Sequence, residues 1–393
     1  MSADGSQIGE SSTPQERHHA GPEKKKTQKN KASTGASAAG VRALSAQVVG
    51  FYFRAPMKAF FRSRVDYMAY ARAIHPHYKS GQSWSWRVST PGLLANAIRT
   101  EGWMFLPKQL FPPMIANISI GAVLYTSYLH MLGNLHEPSA YASRRIMPPP
   151  EPKHTMSAGF IAGSIQSVFA APMDALQVRF KMSEMLEGRY RNMWDYAFSK
   201  LREIGVRGIF AGWSLTFVKD ATSCAVFFST FEYVKAQAYY AFLPFIYSIG
   251  NRQDAYDPTP ITPHYMIEPA FLLMAGAAAT VTQQSIQFPL TQVQTVHYNR
   301  LESLDYAARA ENNPRNVLRL YYNAYMETFR QAKLEAQKVG GMRRWLYQDF
   351  LWSTLRQTPS TSAGLIVFEI VRRKYGIDEG GGLTDLGGKQ FIL

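Results

Sequence analysis

Apolar and polar positions alternate along this chain in blocks of helix-spanning length. Leu110 to Leu135, Thr155 to Met173 and Pro269 to Val296 carry no charge, with His130 neutral. A helix needs about 20 mostly apolar residues to cross a bilayer, so each stretch is long enough. Three further stretches, Val41 to Phe61, Phe210 to Phe245 and Leu351 to Ile370, are apolar with charges near their centres or ends. Charges inside a span are tolerated where they face a bundle interior or a water-filled cavity. A soluble helical protein with buried core helices is the competing reading. The uncharged run Pro269 to Val296, with "AGAAAT" inside it, fits that reading badly.

The blocks repeat. Pro56, Pro172 and Pro289 lie 116 and 117 positions apart, each at the end of an apolar segment. Gly159 and Gly163 precede Pro172 by thirteen and nine positions; Gly276 and Thr280 precede Pro289 by the same intervals. Small residues four apart let helices approach closely in lipid. The first repeat has Ala43 and Gln47 there and matches less well. A polar, basic stretch follows each proline, then a glycine-marked turn: "TEGWMFLPKQL", "REIGVRGIFAGW" and "KVGGMRRWLYQDF". A second apolar helix follows each turn. The second and third of these carry aligned words, "FFSTFEYVK" and "GLIVFEIVRR", where the first has "GAVLYTSYLHM".

Three tandem two-helix repeats with such words resemble the mitochondrial carrier family. "PMDALQVR" looks like its Pro-x-acid-x-x-base-x-base word, and "GVRGIFAG" like its glycine turn. Phe231-Glu232-Tyr233-Val234-Lys235 and Phe368-Glu369-Ile370-Val371-Arg372 fit its aromatic-acid-x-x-base word. The resemblance covers roughly residues 40 to 375. It implies an all-α membrane fold, a six-transmembrane-helix bundle with pseudo-threefold symmetry. The expected division is a basic tail over 1–38, repeats over 39–138, 139–250 and 251–376, and a C-terminal tail over 377–393. The odd helices would kink at Pro56, Pro172 and Pro289, and gates on the two sides would open in turn.

In the family, an acid and a base after each proline form a ring of ion pairs that closes the matrix side. Here the acid slots hold Lys58, Asp174 and Thr291, and the base slots hold Phe61, Gln177 and Gln294. One ion pair, Lys58 with Asp174, is available; the remaining matrix-gate positions, Gln177 and Gln294, offer hydrogen bonds. The cytoplasmic gate is fuller, with Glu232 and Lys235 on helix four and Glu369 and Arg372 on helix six, while helix two has Thr126 and Leu129. Family geometry pairs Lys235 with Glu369. The competing reading pairs each acid with the base three residues on in its own helix.

Family substrate contacts lie three to four turns before the gate acid on the even helices. Thirteen residues before Glu232 is Lys219, followed by Asp220; thirteen before Glu369 is Arg356, followed by Gln357. Repeat one has Pro113 and Met114 in that slot, with Asn117 and Gly121 on later turns. The alternative places Lys219 and Arg356 near helix ends, snorkelling to the interface. The Lys219-Asp220 dipeptide resembles the basic-acidic pair of amino-acid carriers: a cation for a carboxylate, an aspartate for an ammonium. With Arg356 present, a di- or tricarboxylate is the other candidate. The resemblance also implies cardiolipin at helix N-termini, with Gly208, Gly212 and Lys108 as the matching positions.

Composition then narrows the classes. Charged residues are 18% of the chain and the net charge is +15, which calls for an anionic partner. The polar N-terminal tail with "KKKTQKNK" reads as disordered and solvated rather than as a presequence or a nucleic-acid arm. Cys224 alone builds no intramolecular disulfide, and His75 with His77 lacks the companions of a metal site. No cofactor, metal or enzymatic motif is expected, and the chain is expected to work as a monomer. Two functions remain. One is a solute carrier of the mitochondrial inner membrane. The other is a carrier-like protein that no longer transports, in the outer membrane, acting as a scaffold or in membrane dynamics. The neutral gate slots argue for the second; the cations at matched offsets, Lys219 and Arg356, and the cytoplasmic gate words favour the first, which is the expected function.

Overall fold

A computed structural model describes residues 68–75, 89–140, 148–180, 189–250, 262–310, 314–374, 383–386 and 389–392. Pro56, Lys58 and Phe61 lie outside the described residues.

Helix α5 (Pro152–Val178) shows how the sequence builds a bundle helix. Pro152 sits in its first turn, where a missing N–H costs nothing because that donor has no helical partner anyway. Pro172 lies inside the helix and removes the hydrogen bond to the carbonyl of Val168, four residues back. Alanines and glycines form the buried stripe: Ala158, Gly159, Ala162 and Gly163. A Cβ on Gly159 would stand 2.8 Å from the Cys224 carbonyl oxygen of the neighbouring helix. Gly276 is pressed equally closely on Ser362, at 2.9 Å from its Cα. The small-residue pattern read from the sequence is therefore a record of backbone contact.

Ahead of α5 come α1 (Ala69–Ala73), α2 (Thr90–Glu101), α3 (Phe111–Leu135) and α4 (Glu137–Ala140). Ser89 caps α2 by accepting from the Gly92 amide, and a π turn over Leu106–Leu110 leads into α3. After α5 come α6 (Met193–Ile209), α7 (Trp213–Glu232), a π turn over Tyr233–Ala238, and α8 (Tyr239–Gly250). Gly205 breaks α6 with φ 69° and ψ 173°, a left-handed value that explains the first glycine of the turn word. Then follow α9 (Ile267–Ala310), α10 (Pro314–Val339), α11 (Met342–Leu346) and α12 (Phe350–Lys374).

Helices α3, α5, α7, α9 and α12 pack each on the next in chain order. One apolar cluster joins all five, with Tyr128 stacked on Phe228 at 3.7 Å between ring centres, and Phe231, Leu272 and Leu365 around it. The large side chains Phe160, Phe169, Val218, Met274 and Leu351 face outward instead. Small residues inside and large apolar ones outside are what a bundle in lipid requires, since lipid solvates the outer face and close approach holds the helices.

Two expectations change. Among the described residues one helix, Leu106–Leu135, is by itself long and apolar enough to cross a membrane. Thr155 to Met173 and Pro269 to Val296 do form long helices, but their small and amide-bearing residues dilute the hydropathy. The fold is also not wholly helical: strands β1 (Leu383–Leu386) and β2 (Lys389–Ile392) pair antiparallel in the C-terminal tail.

Candidate functional site

The polar centre of the bundle lies between α7 and α9. Lys219 on α7 directs its ammonium across the seam, and Nζ donates to Gln294 Oε1 of α9 at 2.7 Å. Gln294 is buried, and its amide nitrogen donates to Thr216 Oγ1 at 2.7 Å and to the Tyr298 hydroxyl at 2.6 Å. Thr216 and Tyr298 are themselves 3.0 Å apart, closing a triangle. Every polar atom of the Gln294 side chain thus has a partner. Asp220 Oδ1 lies 3.9 Å from Lys219 Nζ, and Asp220 is buried where α7 presses on Gly163 of α5. Successive residues on a helix turn by about 100°, so the dipeptide serves two seams, Lys219 toward α9 and Asp220 toward α5.

The other contact positions are placed differently. Arg356 lies with its guanidinium 4.9 Å from the ring centre of Trp352, one turn back on α12, and Trp352 is exposed. Gln357 accepts from Gln284 of α9 at 2.5 Å, a second amide link across a helix seam. Asn117 is half-buried on α3. So Lys219 and Gln357 are both joined to α9, by glutamines nearly three turns apart that the sequence reading did not select as substrate contacts.

At the opposite end of α7, Glu232 and Lys235 form an ion pair of 2.7 Å within their own helix, with only 4% and 12% of the two side chains exposed. Lys235 also lies 5.3 Å from the ring centre of Phe231. This is the local pairing, i to i+3, weighed above against a partner on the last helix. Glu369 and Arg372 are on α12, in the part whose side chains lie outside the described ones.

Of the matrix-gate slots, Asp174 is buried and Gln177 borders a largely apolar cavity of ≈ 110 Å³ between α3, α5 and α6. Thr291 turns back to the Gln287 carbonyl of its own helix, at 2.8 Å. Gln294 reaches another helix. Beyond it, Arg179 donates to the carbonyls of Ala175 and Gly208, tying α5 to the glycine turn. Gly212 has a packing reason to be glycine, since a Cβ would stand 2.7 Å from Tyr298 Cε1. Farther along, Tyr325 of α10 donates to the Ala211 carbonyl at 2.8 Å and stacks on His297, at 4.3 Å and 20°. His297 Nδ1 meets Thr328 Oγ1 at 2.9 Å, and that hydroxyl also reaches the Ala324 carbonyl, at 2.7 Å.

A family profile described as "Mitochondrial carrier protein" matches residues 149–240, the stretch holding α5, α6 and α7. The mouse mitochondrial electrogenic aspartate/glutamate antiporter is 24% identical over 224 residues, 57% of this chain and 27% of that protein. The Arabidopsis thaliana mitochondrial carnitine/acylcarnitine carrier-like protein is 25% identical over 291 residues, 71% of this chain and 81% of the relative. An Arabidopsis thaliana mitochondrial arginine transporter is 24% identical over 157 residues, 40% of this chain and 48% of its own. Residues 149–240 thus carry that family's profile, and the chain is similar to mitochondrial carriers at 24–25% identity. It spans only about a quarter of the length of the antiporter it matches.

Thr216, Tyr298 and Gln284 are the residues that motif reading passed over. The motifs name charges, and these are neutral groups whose importance depends on which helix they face. The one available signal was offset: Tyr298 follows Gln294 by four, so both lie on one face of α9.

Proposed function

We propose that this chain is a carrier of the mitochondrial inner membrane that moves a small carboxylate-bearing metabolite, an amino acid among the candidates, by alternating access. In this reading α3, α5, α7, α9 and α12 are five helices of a six-helix, pseudo-threefold bundle, and the stretch before Pro56 supplies the sixth. The observation that carries the reading is Lys219: a cation with 11% of its side chain exposed, its ammonium bonded to the Gln294 amide oxygen of the neighbouring bundle helix. An ionisable group so placed is expensive and functional by default. The relatives' names support the substrate class, because aspartate, glutamate, arginine and carnitine each bear a carboxylate.

Lys219 would take that carboxylate, Asp220 would set the charge balance, and Arg356, Gln357 and Asn117 would line the far side. Glu232, Lys235, Glu369 and Arg372 would make the cytoplasmic gate, and Lys58, Asp174, Gln177 and Gln294 the matrix gate. Exposed Lys108, before α3, is the base best placed for a cardiolipin headgroup.

Uptake into proteoliposomes tests this. Labelled aspartate, glutamate, arginine and carnitine are each offered to wild type, Lys219→Ala and Arg356→Ala. Uptake of one of them that falls at least tenfold in Lys219→Ala is expected. Equal uptake by all three proteins, or none by wild type, overturns it.

A further inference from the structure

The matrix-side slot of α9 holds a neutral glutamine, and what it binds is the lysine assigned to substrate. We propose that Gln294 is a latch on the α7–α9 seam and that Lys219 is the group that releases it. This rests on the carrier reading above. An anionic solute that takes the Lys219 ammonium frees Gln294 and opens the matrix end.

The geometry dictates the direction of every bond. Rotating the Gln294 amide by 180° would point its NH₂ at an ammonium, donor against donor, so Oε1 must face Lys219. Both amide hydrogens then go to Thr216 and Tyr298. The network is complete only while Lys219 is in it. Take the ammonium away and Oε1 becomes a buried acceptor with no donor, which costs more than one such bond contributes to the seam. Water must enter or the helices must part. Asp220 Oδ1 lies 3.9 Å from the same Nζ.

Selectivity follows from the same contact. A carboxylate oxygen outcompetes an amide oxygen for an ammonium, because the bond is charge-assisted on both sides. A neutral solute offers at best another amide or hydroxyl and gains nothing over Gln294. A ligand shifts a two-state equilibrium only by its differential affinity for the two states. Here the difference is one ammonium, bound to Gln294 in the closed state and to solute in the open one. The latch therefore makes Gln294 a specificity-determining residue without touching the solute.

The test is hydrogen–deuterium exchange of the full chain in lipid nanodiscs, read over backbone amides 213–220 of α7 and 291–298 of α9. Without solute, Gln294→Leu should exchange about tenfold faster than wild type in both segments, the cost of one buried charge-assisted bond. Lys219→Met should match it, and the double variant should add little. Gln294→Glu replaces the amide by a carboxylate facing Lys219, and it should exchange more slowly than wild type. Saturating L-aspartate or succinate should bring wild type toward the Gln294→Leu rate and leave Lys219→Met unmoved; glycerol should change neither. Wild-type rates in Gln294→Leu overturn the latch. So does a Gln294→Glu variant as fast as Gln294→Leu, which would mark Gln294 as packing alone. Uptake of an acid that leaves wild-type exchange unchanged overturns its release by solute. If wild type takes up no acid, the carboxylate reading falls by itself, and the solute-free comparison still decides the latch.

Discussion

Gly163 of α5 lies directly against the backbone of Asp220 on α7. A Cβ at Gly163 would stand 2.6 Å from the Asp220 carbonyl oxygen and 2.9 Å from the Cα of Ala221. Gly159 repeats the contact one turn earlier, against Cys224. This seam sets the rotation of α7, and so decides that Lys219 faces α9 while Asp220 faces α5. Gly163→Val should therefore push the helices apart. Overpacking of this kind costs about 1–3 kcal/mol, and the obstacle here is backbone, which cannot change rotamer. The thermal midpoint of the purified protein should fall, whereas Gly102→Ala, with nothing within 4 Å of its Cβ but a φ of 74°, should lower it by strain alone.

The Glu232–Lys235 pair is buried on both sides, so its two halves are not equivalent to remove singly or together. Lys235→Met leaves a buried carboxylate without its ammonium and should destabilise by about 3 kcal/mol. Glu232→Gln combined with Lys235→Met removes both charges and should recover most of that loss. Chemical or thermal unfolding of the three variants measures it. An additive double variant would mean the two side chains do not depend on one another.

His297 supplies a pH dependence on α9, one residue past the uncharged stretch that ends at Val296. Burial pushes its pKa down from 6.5 to about 4; the Ala211 carbonyl opposes this, and Arg300 adds to it. The folded state holds the imidazole neutral. Between pH 6.5 and about 4 the unfolded chain takes up a proton that the folded chain refuses. Stability is thus fully present above about pH 6.5 and declines as pH falls toward 4, by about 3 kcal/mol at most. The melting temperature of His297→Gln should fall less steeply over that window than that of wild type.

Tyr325 anchors α10 to the turn that starts α7, through one hydrogen bond and one ring face. Tyr325→Phe keeps the ring on His297 and loses the bond to Ala211, which should cost about 1 kcal/mol. Tyr325→Ala loses both and leaves a cavity beside a buried histidine, at about 3 kcal/mol or more. Unfolding midpoints of the two variants separate the contributions.

The sequence by itself determined the helices and where they touch. Spacing of prolines, small residues and glycine turns is local chemistry: Pro172 and Pro289 do lie inside α5 and α9, Gly205 does take the left-handed φ, and Gly159, Gly163 and Gly276 do meet a neighbouring backbone. These properties belong to one residue or one helix face, and a pattern along the chain is enough to show them. Partners across a seam are different. That Lys235 takes Glu232 three residues back, that Arg356 lies on Trp352, and that Lys219 is held by a Gln294 whose amide nitrogen bonds Thr216 and Tyr298 depend on the rotation of α7 and α12 about their axes. That rotation is set by backbone contacts between helices far apart in the chain. Neutral amides and hydroxyls carry no pattern that motif reading can weigh. Only when α7 and α9 are laid side by side does a glutamine in an emptied gate slot become the partner of the bundle's central cation.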